Sequence, residues 1–165
     1  YFITRDSYHV PYYIAYVAIG YQTSYDWSLP LSSIFNEPYD SIIPEYFNGK
    51  FSGDEINSVL TNSINELLTS NFINNVYTDP DLRVVVDAFE ENSLDNWVPK
   101  NKMIMYHGTS DITVPYQNSV DTYNNFISLG ASTNNIEFID LIDEDHSSGA
   151  LPYIIDLFDR FDKLK

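Results

Sequence analysis

The chain has 165 residues, of which 44% are hydrophobic and 16% aromatic, enough apolar material for a packed core and against disorder. Its 24 acidic residues against 8 basic ones give a formal charge of −16, which argues against nucleic acid and anionic lipid as partners, because clustered Lys and Arg are needed to displace counterions. With no cysteine there is neither a disulfide framework nor a thiolate metal site, and no apolar run is long enough for a membrane span.

Up to Trp97 the punctuation is helical, without a convincing period-two run. The opening YFITRDSYHV has neither the basic nor the apolar segment of a signal peptide. Pro11 begins PYYIAYVAIGY, a helix with proline in its first turn and tyrosines on several faces. Pro30, Pro38 and Pro44 cut the next stretch into short helices or turns. Ser52 and Glu55 make a capping-box pattern ahead of EINSVL, and NSINELLTSNFINNV continues the helical reading. In DPDLRVVVDAFEEN, Leu82, Val85, Val86 and Phe89 share one helical face.

The grammar changes after Pro99. KMIMY, Lys102 to Tyr106, reads as a short buried parallel strand and Gly108 follows it closely. A helix fits Tyr116 to Leu129, with Val120, Tyr123, Phe126 and Ile127 inward and Gly130 as its stop. IEFIDL, Ile136 to Leu141, is a second strand, and Leu151, Ile154, Ile155, Phe158 and Phe161 give the closing LPYIIDLFDRFDKL an amphipathic helical face. The resulting order of strand, loop, helix, strand, loop, helix predicts an α/β arrangement with two parallel strands, preceded by a mostly helical region. The expected domains are residues 1–97 and 98–165.

In open α/β sheets the chemistry lies on loops past the carboxyl ends of the strands, where Asp111 and His146 both fall. Adjacent parallel strands bring those loops side by side, so the carboxylate can orient the imidazole and leave its other nitrogen to accept a proton from a nucleophile. Blander readings compete. Asp111 alone fits a turn residue bonding its own loop backbone. His146 fits a solvated loop histidine, or a neighbour of Asp143, Glu144 and Asp145 in a cation site, although consecutive acids diverge and the calcium-loop spacing is missing. No metal is therefore expected. His107 reads as support for the strand end. Most of the fourteen tyrosines read as packing, with Tyr12, Tyr13 and Tyr16 as the candidates for substrate contact.

The stretch HGTSDITVPYQNSVDTY, His107 to Tyr123, followed by DEDHSSG, Asp143 to Gly149, resembles the C-terminal end of an α/β-hydrolase. In that superfamily the acid follows the seventh strand and the histidine the eighth, in the order Ser, Asp or Glu, His. The resemblance places Asp111 as the acid and His146 as the base. The proline- and tyrosine-rich first half is similar to the helical cap of secreted lipase-like and prolyl-oligopeptidase-like members. One departure is large, because no G-x-S-x-G nucleophile elbow and no glycine-rich oxyanion loop occur in the chain.

The resemblance thus implies the C-terminal part of a serine hydrolase, a carboxylesterase, lipase or peptidase, acting by acyl transfer without a cofactor. Its nucleophilic serine is expected upstream of Tyr1, and this segment alone is expected to be inactive. The implied partners are a small-molecule ester or peptide substrate and either the remainder of its own chain or a second copy, covering the strand edge at KMIMY. The resemblance implies a secreted or periplasmic protein, to which the residues themselves add nothing. The alternative is a noncatalytic binding module that retains part of the fold.

Overall fold

The computed structural model describes residues 2–163. Tyr1, against which the upstream serine is reckoned, and Leu164, at the end of the predicted last helix, lie outside the described residues. The chain forms two compact units that divide in sequence between Asn92 and Ser93, a few residues ahead of the expected 97/98 division.

The first unit is helical, with α1 (Tyr12–Ser24), α2 (Tyr39–Tyr46), α3 (Gly53–Val59), α4 (Ile64–Leu67), α5 (Ser70–Asn75) and α6 (Arg83–Glu91), joined by short 3-10 turns. Side-chain caps decide where α3, α4 and α5 start. Ser52 and Glu55 form the expected capping box, each satisfying the other's backbone N–H. The stretch from Asn62 to Val76 is not one continuous helix as expected. Ser63 accepts from the Glu66 N–H and Thr69 from the Phe72 N–H, so each starts a new short helix and the chain turns between α4 and α5. Asn36 seals that turn by donating its amide to the carbonyls of Glu66 and Leu68 at 3.1 and 2.8 Å. Pro44 departs from its expected role as a divider and lies inside α2. In the last turn of so short a helix it removes a single intrahelical hydrogen bond. The unit's core includes Phe35, Ile43, Ile64, Leu67, Leu68 and Leu82, all buried. Phe89, expected on the buried face of α6, is instead exposed and packs edge-on against Tyr21. Ala88 is the buried residue on that turn.

The second unit holds β1 (Met103–Gly108), α7 (Tyr116–Ser128), β2 (Ile136–Leu141) and α8 (Ala150–Asp162). β1 and β2 pair in parallel, from Met103 opposite Ile136 to Gly108 opposite Leu141. β1 therefore runs past the expected end at Tyr106, because the ladder continues through His107 and Gly108. Its residues are half-buried up to His107, not buried as the apolar run suggested, since among the described residues one neighbouring strand pairs with it. Alternate side chains go to opposite faces. Met103, Met105 and Ile136 pack under α7 with Phe126, Tyr123 and Ile127, and Gly130, at φ +100°, takes the left-handed conformation that ends the helical segment.

The other face meets α8 through charge. Arg160 donates two parallel bonds to Glu137 on β2, at 2.8 and 2.9 Å, and a third to Asp156 at 2.6 Å. Asp156 also accepts from the Tyr106 hydroxyl of β1 at 2.6 Å. Burial and that carboxylate push the Tyr106 phenol up to about 12. The predicted apolar stripe of α8 exists but is not buried: Leu151, Ile154, Ile155, Phe158 and Phe161 are all exposed.

Candidate active site

At the end of β1 the chain passes through Gly108 into a turn, and the position admits nothing larger. A Cβ on Gly108 would lie 2.2 Å from the Glu144 carbonyl oxygen. The loop after β2 therefore lies directly on the end of β1. Three hydrogen bonds join the two loops: Thr109 N–H to Leu141 O at 3.0 Å, Ser110 N–H to Glu144 O at 3.0 Å, and Asp143 N–H to Thr109 Oγ1 at 2.9 Å. Asp143 takes a left-handed φ of +60° to make the bend. Asp145 then accepts the N–H groups of Ser147 and Ser148 at 2.7 and 2.8 Å. Its carboxylate is engaged in ordering the approach to α8.

This pairing of loops brings Asp111 and His146 together. Asp111 is buried, the one charged side chain among the buried described residues. Its Oδ1 accepts from the backbone N–H of Thr113 and Val114 at 2.9 and 2.8 Å, and its Oδ2 lies 2.9 Å from His146 Nδ1. Burial pushes the Asp111 carboxyl up, but the Val114 N–H, His146 and the Thr113 N–H together outweigh it and hold the group below the ordinary carboxylate range. A carboxylate only accepts, so Nδ1 carries the hydrogen and Nε2 is left as the acceptor of the neutral ring. The His146 side chain is 53% exposed. Its Nε2 makes no hydrogen bond among the described residues, and the residue lines a depression of about 400 Å³ together with Tyr106, Leu141, Gly149 and Tyr153.

The strand-end histidine plays a larger part than its sequence reading gave it. His107 Nδ1 is 2.7 Å from Ser119 Oγ, its Nε2 is 3.0 Å from the Val114 carbonyl, and the same nitrogen is 3.3 Å from Asp111 Oδ2. The adjacent His-Gly pair was the only sequence signal for this. Of the tyrosines, Tyr12 and Tyr16 line a depression of about 590 Å³ in the first unit with Tyr46, Phe47 and Phe51. Tyr12 is anchored through its backbone N–H to Asn57 Oδ1 at 3.0 Å. Tyr13 is not part of that lining and stacks on Tyr12 with ring centroids 4.2 Å apart. Among the described residues no three His, Asp or Glu side chains gather as a metal site, and no helix is long and apolar enough to cross a membrane.

Neither a protein-family model nor a curated protein matches the sequence. Solved structures do match in fold. A provisionally named hydrolase of Legionella pneumophila superposes with a TM-score of 0.73 at 24% identity, over 90% of this chain and 40% of that one. The rice cell wall degrading esterase LipA of Xanthomonas oryzae does so with a TM-score of 0.66 at 19% identity, over 90% of this chain and 38% of that one. The chain thus spans about two fifths of the length of these structures, and its helices and two parallel strands constitute part of an α/β-hydrolase fold.

Proposed function

We propose that this chain carries the acid and the base of a serine hydrolase that cleaves an ester or amide by acyl transfer. The observation that supports this reading best is the bond from His146 Nδ1 to buried Asp111, with His146 Nε2 left unengaged on a concave surface. In the proposed reaction a serine upstream of Tyr1 attacks the acyl carbon while His146 Nε2 takes its proton. The resulting imidazolium is stabilised by Asp111 and returns the proton to the leaving group, and water then repeats the cycle to free the acid. No step needs a cofactor. Tyr12 and Tyr16 are proposed as substrate contacts, and their replacement by alanine should raise KM more than it lowers kcat.

Assay of the complete protein with an activated acyl ester tests the proposal. His146→Ala should lower kcat roughly ten-thousandfold, and Asp111→Asn about a thousandfold, because the asparagine keeps the geometry but not the tautomer. Equal kcat in wild type and the His146 variant would sink the hydrolase reading in favour of a binding module. The 165-residue chain by itself should take up no fluorophosphonate, since it offers a base without an elbow serine or oxyanion donors. A covalent adduct detected by mass would place the nucleophile within these residues.

A further inference from the structure

We propose that His107 is a positioning residue for the Asp111–His146 pair, its buried N–H holding the turn that presents the carboxylate. This rests on the reading of Asp111 and His146 as acid and base. Strand alternation sends the His107 side chain to the α7 face of the sheet, where it is 10% exposed and Asp111 is 4% exposed. Two of the three atoms around its ring nitrogens can only accept. The Val114 carbonyl and the Asp111 carboxylate both lie against Nε2, so that nitrogen carries the hydrogen, and the Ser119 hydroxyl donates to Nδ1. That N–H donates to the Val114 carbonyl at one end of the Asp111–Val114 turn, and the same nitrogen stands 3.3 Å from Asp111 Oδ2 at the other. Asp111 Oδ1 is already held by the N–H groups of Thr113 and Val114. Rotation of the carboxylate away from His146 would break those bonds and also draw Oδ2 from His107, leaving buried polar groups without partners. The edge-on Tyr116 ring, 5.8 Å away at 90°, holds the imidazole in its plane.

Three substitutions separate this role from simple packing. Glutamine carries its amide nitrogen to about the place of Nε2, asparagine reaches only that of Nδ1, and phenylalanine keeps ring volume without a donor. In the complete hydrolase, His107→Phe and His107→Asn should lower kcat about tenfold with KM changed less than about twofold, while His107→Gln stays within about twofold of wild type. In the complete protein, the downfield proton resonance of His146 Nδ1–H should be present in wild type and His107→Gln. In the other two variants its exchange with water should be roughly tenfold faster. An unchanged resonance in His107→Phe and His107→Asn, a glutamine variant as impaired as phenylalanine, or no such resonance in wild type would each overturn the proposal. Should His107→Phe fail to fold by near-ultraviolet circular dichroism, the glutamine and asparagine variants decide, and indistinguishable behaviour overturns it. Lack of esterase activity in the wild-type complete protein would overturn the hydrolase reading alone, since the resonance reports positioning without turnover.

Discussion

Asp111 divides its two oxygens between two tasks, and its acid sensitivity follows from that division. Oδ1 closes its own turn while Oδ2 faces two imidazoles. Its carboxyl is held below the ordinary value in the folded chain. A depressed folded pKa contributes stability at pH above the unfolded carboxylate pKa of about 3.9, and the contribution is lost as pH falls from there through the folded value. Glu137 and Asp156 are lowered as well, by Arg160 and by Tyr106 with Arg160 respectively, so the general fall in stability with acid is shared. The difference between wild type and Asp111→Asn isolates the one group. That difference should be largest near neutrality and shrink below about pH 4. Urea midpoints at pH 7 and pH 3 that show the same gap would refute the assignment. In sequence the turn role and the acid role of Asp111 read as alternatives; in the structure one oxygen closes the turn and the other meets His146, so the two are compatible. The loop positions of Asp111 and His146 were legible from strand order. The approach of His107 to Asp111 was not, because it depends on how the turn folds back over the strand end.

Two elements meet at Gly108, and the meeting fixes where His146 stands. Replacement by alanine puts a methyl group 2.2 Å from the Glu144 carbonyl oxygen and 2.8 Å from its carbon, both backbone atoms that cannot rotate aside. The loop after β2 would have to lift, weakening the bond from Ser110 N–H to Glu144 O and displacing His146 from Asp111. Gly108→Ala should therefore cost about 1–3 kcal/mol of stability, in the range of other overpacked sites, and should lower activity with the Asp111–His146 pair intact in sequence. Guanidinium denaturation checks the first part, and a variant as stable as wild type would show that the loops do not touch there. A glycine soon after an apolar run announces the end of a strand, but its reason lies in residues a whole strand–helix unit later. Elements fared according to how local their causes are. β2 was legible to the residue because alternation and flanking polar residues bound it, and the capping box of α3 is contained in four residues. The break between α4 and α5, capped at Thr69, is sealed by Asn36, distant in sequence, and the exposure of Phe89 depends on what packs against α6.

For the whole molecule the consequence lies in what the second unit leaves uncovered. Leu151, Ile155 and Phe158 are 66%, 54% and 67% exposed on one helix, joined by Ile154 and Phe161, a contiguous apolar stripe beyond the scattered exposure usual in monomers. Among the described residues β1 has a strand partner on one side only, so its other edge presents backbone groups to whatever lies beside it. A sheet of two strands is marginal alone. The isolated 165-residue chain is expected to self-associate through α8 and the β1 edge, the same surfaces that the remainder of the hydrolase would cover in the proposed complete protein. A charge of −16 on each copy opposes that approach most strongly at low ionic strength, where the screening length is about 30 Å at 0.01 M against about 8 Å at 0.15 M. Association should therefore strengthen as salt is added, contrary to a contact held by opposite charges. Ile155→Ser with Phe158→Ser leaves the charge unchanged while removing apolar area from the stripe, and should shift the chain toward monomer at every salt concentration. Sedimentation velocity across that range, with amide exchange at Met103 to Tyr106, provides the measurement. A wild-type chain that remains monomeric at high salt, with those amides exchanging rapidly, would show that neither the stripe nor the strand edge recruits a second copy.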